Sequence, residues 1–125
     1  MIELVVDIHK AYWISDNDRL HWAVKAKRTR HIRQLTHFLA KQQKLVLPTP
    51  VLVVAEIGFR TGGRADPGNA SLAVKATLDG LTDAGAWPDD DSRHVIGPDY
   101  RRGLKAPIKD RYRIHLKFID QHVPF

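Results

Sequence analysis

The 125-residue sequence contains no cysteine. That absence excludes disulfides, thiolate metal sites, iron–sulfur clusters and a cysteine nucleophile. Long apolar runs are missing as well, since none approaches the ~20 residues a membrane-spanning helix needs. Met1–Ile8 has neither a basic lead nor a small-residue cleavage site, so no signal peptide is read there. The expectation is a soluble cytoplasmic protein with no membrane partner. Acidic residues are scarce over 19–60, where nine Lys and Arg stand against one acid, Glu56. The seven histidines lack metal-site spacing: His31 and His37 lie six apart, outside the i, i+4 geometry of a helical pair.

What remains is a globular composition, 43% apolar and 27% charged, of a length that suits one domain with one core. Twenty basic and fourteen acidic residues give a net charge of +6, which points to a polyanionic partner. The distribution is uneven. Residues 101–125 carry seven basic residues and two acids. Residues 61–100 carry three basic residues and seven aspartates, Asp66, Asp79, Asp83, Asp89, Asp90, Asp91 and Asp99. Clustered carboxylates repel DNA, but a bound cation would reverse the sign of such an island.

The pattern along the chain predicts an α+β domain with a mixed sheet and two main helices. Ile2–Ile8 reads as a strand, and Ser15–Asp18 as a cluster of cap formers before a helix over about Leu20–Gln43. In that helix Val24, Ile32, Leu35 and Leu39 form the expected buried stripe. Val51–Arg60 is a strand dense in β-branched residues, and Asp66–Asn69 starts a helix or a tight turn. Ala70–Ala84 has helical period, with Gly85 suited to the position that ends it. His94–Gly97 reads as a short strand and Tyr100–Lys109 as a basic loop. Over Arg111–Phe118, Tyr112, Ile114, Leu116 and Phe118 alternate with Arg111, Arg113, His115 and Lys117.

Asp66 ends a Gly-rich turn, and Asp89–Asp91 follows the second helix. Hard divalent cations take oxygen ligands, and Mg²⁺ commonly takes one or two carboxylates plus substrate phosphate. Asn69 is a neutral oxygen donor nearby, and Lys75 and Asp79, four apart, share a helix face. The two ends of the helix meet only if the chain folds back. Each residue also has a plain structural role open to it: Asp66 as the cap before Pro67, Lys75–Asp79 as an exposed pair, and Asp89–Asp91 as a solvated turn.

Asp66-Pro67-Gly68-Asn69, followed by Lys75 through Asp79 and Ala84-Gly85 to Trp87-Pro88-Asp89-Asp90, resembles the RusA-like Holliday-junction endodeoxyribonucleases. That family carries D-x-D-N, a nearby K-x-x-x-D-x-L helix ending in A-G, and a closing W-x-D-D. The chain departs from it at Gly68, which replaces the second Asp, and in the spacing of Asn69, six residues before Lys75. It looks like a D-P-x-N variant branch of the kind carried by phages of actinobacteria. The resemblance implies a homodimer that nicks four-way junctions with Mg²⁺ or Mn²⁺, acting in the cytoplasm on the nucleoid. It implies Asp66 and Asp90 as metal ligands, Lys75 as the catalytic lysine, and Asn69 or Asp79 in the place vacated at Gly68.

Two basic surfaces would hold the DNA backbone. Lys25, Lys27, Arg28, Arg30 and Arg33 fall within nine residues of the first helix. Arg101 and Arg102 in a loop, with Arg111, Arg113 and Lys117 on one strand face, form the second, and this alternation is the stronger signal. Trp22 and Trp87 are read as core or dimer-contact residues, and Trp13 as the better stacking or wedge candidate. Three function classes follow: a metal-dependent endonuclease for branched DNA, a non-catalytic DNA-binding module, and a small enzyme unrelated to nucleic acid.

Overall fold

The computed structural model describes residues 1–63 and 65–121. Strand β1 is Ile2–His9, helix α1 Trp22–Gln42 and strand β2 Val51–Gly58. A 3₁₀ turn, Pro67–Ala70, leads into helix α2, Ser71–Asp83. Strands β3, Val95–Arg102, and β4, Arg111–Asp120, complete the chain. The four strands form one sheet in the order β1-β4-β2-β3. β4 pairs antiparallel with β1 and β2, while β3 pairs parallel with β2. A parallel neighbour requires a crossover, and the segment containing α2 supplies it. The result is the α+β domain with a mixed sheet and two helices that the pattern predicts.

The alternation of β1, β2 and β4 decides which face is buried. The register sets Leu4 opposite Leu116 and Leu116 opposite Ala55; it likewise aligns Val6, Ile114 and Ile57. These side chains join Ile32 of α1 and Val74, Leu78 and Leu81 of α2 in one core. The opposite face holds the charged alternates. There Arg113 pairs with Asp7 at 2.8 Å, Lys117 with Glu56 at 2.5 Å, and His115 lies 3.5 Å from Glu3.

The structure corrects several expectations. α1 buries Ile32, Thr36 and Ala40, with Leu35 and Leu39 half-buried, whereas Val24 is exposed. Trp22 through Lys27, its first turns, are exposed. The cap of α1 is His21, whose Nδ1 accepts from the Ala23 N–H at 3.2 Å, and not the Ser15–Asp18 cluster. β3 is longer than the short strand expected: Tyr100, Arg101 and Arg102 belong to it and not to a loop. Its exposed edge position removes the alternation that marks a half-buried strand. Trp13 is buried and stacks on Tyr112, ring centroids 4.4 Å apart, so it is a core residue and no free wedge. Trp22 stands 76% exposed and is not core, while Trp87 is.

Candidate active site

The site begins at the turn before α2. The Asp66 carboxylate accepts the Gly68 N–H at 2.9 Å and so caps the 3₁₀ turn, with Pro67 in the first position, where its missing N–H is no loss. Arg102, at the end of β3, donates to the carbonyl of Ala65 at 3.1 Å and stacks its guanidinium over Phe59. This braces the backbone that carries Asp66.

A second aspartate reaches the same helix start from far away in sequence. Asp16 accepts the Ser71 hydroxyl and, at 3.1 Å, the Leu72 N–H. Its own N–H donates to the Asn69 carbonyl at 2.8 Å. The first backbone amides of a helix have no intrahelical partner, and their dipoles favour an anion. Asp16 satisfies both needs, so the 15–18 cluster caps α2 instead of α1. Tyr100 lies close by: burial, and then the Asp16 charge, push its phenol above the ordinary value.

Lys75 stands one turn further along α2. Its ammonium donates to Asp79 at 2.9 Å and to Asp90 at 2.6 Å. The i, i+4 contact is what helical geometry gives. The Asp90 contact depends on a reversal of the chain after α2. Gly85 takes φ +73° there, a conformation cheap only for glycine. The Ala86 N–H returns to the Leu81 carbonyl, and Trp87 Nε1 donates to the Thr82 hydroxyl at 2.8 Å. Trp87 is buried edge-on against Phe118, and this anchor sends Asp89–Asp91 back along the helix. Asp90 further receives support from its neighbour, its own N–H donating to Asp89 at 2.7 Å.

The electrostatics follow the geometry. The hydrogen bonds that Lys75 donates to Asp90 and then to Asp79 raise its ammonium above the ordinary value. The bond from Lys75 holds Asp90 below the usual carboxylate range. Both groups are therefore charged at neutral pH. Asp91 is likewise held low, by His94 and then by Arg93.

Of the residues singled out from the sequence, the fold thus unites Lys75, Asp79 and Asp90. Asp66 and Asn69 stand at the start of the same helix, and no hydrogen bond or ion pair among the described residues joins Asp66 to the three. No group of three or more His, Asp or Glu side chains converges as a ready metal cage among the described residues. The donor chemistry nevertheless suits a hard cation, because Asp79 and Asp90 already converge on one positive charge, the Lys75 ammonium. Asp16 was not among the sequence candidates. Its 55-residue separation from Ser71 leaves no local pattern that would reveal the contact.

The cations divide into free and committed. Lys25, Lys27 and Arg30 are exposed on α1 and enter none of the ion pairs among the described residues. Arg28 donates to the Trp13 carbonyl at 2.9 Å, and Arg33 forms a bidentate pair with Asp83. On β4, Arg113 and Lys117 are neutralised by Asp7 and Glu56, while Arg111 makes no such pair. Arg101 is exposed on β3. No family model matches the chain, and no curated protein matches it.

Proposed function

We propose that the protein is a metal-dependent endonuclease that hydrolyses phosphodiester bonds in branched DNA, as a homodimer with one site for each strand. The observation that carries this reading is the ammonium of Lys75, fixed between Asp79 and Asp90 with 59% of its side chain exposed. A fixed, exposed cation beside carboxylates is the arrangement phosphodiester hydrolysis uses. Lys75 would donate hydrogen bonds to the scissile phosphate as charge builds on its oxygens. Asp66 and Asp90 would hold Mg²⁺ or Mn²⁺, with Asn69 or Asp79 as a further oxygen donor. The bound metal would supply Lewis acidity toward the phosphate and lower the pKa of a water. Asp90 and Asp79 position Lys75, and the free cations of α1 draw the DNA backbone in.

A second reading, a DNA-binding protein without catalysis, draws on a specific feature. Asp79 and Asp90 already have a cation, and Asp66 is committed to its own turn.

The test is a labelled four-way junction incubated with the protein, with and without Mg²⁺ or Mn²⁺. Cleavage should require the metal and be lost in Asp90→Asn, Asp66→Asn and Lys75→Ala. The two Asn variants should bind the junction as well as or better than the parent, because each removes a repelling charge. Cleavage by Asp90→Asn at the parental rate would refute the site. Binding without cutting under any divalent metal would favour the second reading.

A further inference from the structure

Trp22 is the one tryptophan that the fold leaves outside the core. It is 76% exposed, while Trp13 and Trp87 are 6% and 3% exposed. An indole in water forgoes a large burial energy, and such a residue marks contact with something else more often than a scattered Leu does. Trp22 heads a stripe on the outer side of α1. Lys25, Ala26, Thr29 and Arg30 follow at helical spacing and line one shallow groove with it. Further along, Arg33, whose charge Asp83 cancels, lines the same groove with Gln34 and His37.

Ala26 and Thr29 are short and leave the floor low, so that a flat group can lie against the indole. Lys25 and Arg30 flank it with charges that enter no ion pair among the described residues. The helix Trp22–Gln42 has six Lys and Arg and no Asp or Glu. A second copy of the chain seated here would bring these cations against their like. The occupant that fits is one carrying both a π-face and regularly spaced negative charge. Unpaired nucleotides have both: base–aromatic stacking is tolerant of sequence, and adjacent phosphates pair with flanking cations.

We infer that the Trp22 stripe of α1 is a binding surface for single-stranded nucleic acid, the indole stacking on an unpaired base between phosphates held by Lys25 and Arg30. The inference rests on the nucleic-acid reading above for the class of partner, and on none of its catalytic residues. In branched DNA the surface would take the bases that lose their partners at the branch point.

The two buried tryptophans leave Trp22 as the side chain whose emission a ligand can reach directly. The full chain is titrated, without divalent metal, with oligo(dT), with an abasic oligonucleotide of equal length and with blunt duplex. Oligo(dT) should quench the tryptophan emission strongly, and the abasic strand and the duplex should leave it nearly unchanged. By anisotropy of a labelled oligo(dT), Trp22→Ala should weaken binding about 5- to 150-fold, the range of one base–aromatic stack. Trp22→Phe keeps a ring and should bind within a few-fold of the parent while losing most of the quench. The exposure of Trp22 makes both variants safe for folding, and circular dichroism verifies this. Equal affinity for the abasic strand, or an unchanged affinity of Trp22→Ala, would overturn the inference and leave only charge attraction. An emission shift on raising the protein concentration without nucleic acid would overturn it in favour of self-association. A chain that cuts no junction yet shows the base-dependent quench would refute the nuclease reading and leave this surface standing.

Discussion

At the scale of single residues, Lys75 and Asp90 are the pair whose state decides the site. The carboxyl of Asp90 lies below its ordinary value of 3.8 because Lys75 donates to it. A carboxyl lowered in the folded state releases its proton sooner there than in the unfolded chain. The pair therefore contributes above the ordinary aspartate range, and the contribution fades as pH falls through the lowered value. Lys75 carries the opposite sign: raised above 10.5, it contributes below that value and loses the contribution as pH climbs through the raised one. With 59% of the lysine side chain in water, screening limits the pair to about 1 kcal/mol or less. Urea denaturation should show Asp90→Asn less stable than the parent by that amount at about pH 7, the difference shrinking as pH falls through the lowered carboxyl value. A gap that persists unchanged at acid pH would show that Asp90 acts through packing and not through charge. The Lys75–Asp79 contact was legible in the sequence, because four residues along a helix is a fixed distance. The Asp90 contact was not, since it depends on Gly85 and Trp87 turning the chain back. Asp16 reads as a cap former, but that it caps α2 and not α1 leaves no trace in local spacing.

At the scale of elements, α1 and α2 cross in close contact at Gly80. A Cβ added at Gly80 would fall 2.5 Å from the Arg33 carbonyl oxygen and 2.8 Å from the Thr36 Cβ. Both neighbours belong to α1 and cannot yield without moving that helix. Alanine is the better helix former by about 1 kcal/mol, so propensity alone makes Gly80→Ala stabilising. Overpacking at a backbone contact costs about 1–3 kcal/mol and should win. The expected result is a lower thermal midpoint for Gly80→Ala, with a compensating shift of α1 that weakens the Arg33–Asp83 pair. An unchanged or higher midpoint would show that the helices have room to separate. The elements themselves were legible where one face is buried: β1, β2 and β4 show period two because a helix layer covers one side only. β3 hid its length because its edge position exposes Asp99, Arg101 and Arg102 alike. Along α1 the periodic stripe includes the exposed Val24, because periodicity marks a face and not how much of its length is packed.

At the scale of the whole molecule, net charge is a poor guide to where a polyanion docks, because much of it is spent internally. The strict alternation of Arg111, Arg113 and Lys117 made β4 the stronger basic surface in the sequence. In the folded chain Asp7 and Glu56, brought in by β1 and β2, cancel two of those three charges. Lys25, Lys27 and Arg30 of α1 enter no ion pair among the described residues, and α1 itself carries no acid. Binding to DNA releases counterions, and the logarithm of affinity falls against the logarithm of salt with a slope of about −0.9 per neutralised phosphate. A side chain already paired to a carboxylate adds little to that slope, for a phosphate that claims it must first displace the acid. Replacing Lys25 and Arg30 together by Ala should flatten the slope for a four-way junction by about 2 and leave the thermal midpoint nearly unchanged. Replacing Arg113 and Lys117 should flatten it by less than about 1 and lower the midpoint, because Asp7 and Glu56 lose their partners on a half-buried face. Junction affinity measured at several salt concentrations for the two double variants separates the surfaces. A larger loss of slope from the β4 pair would place the DNA on the sheet and refute the assignment to α1.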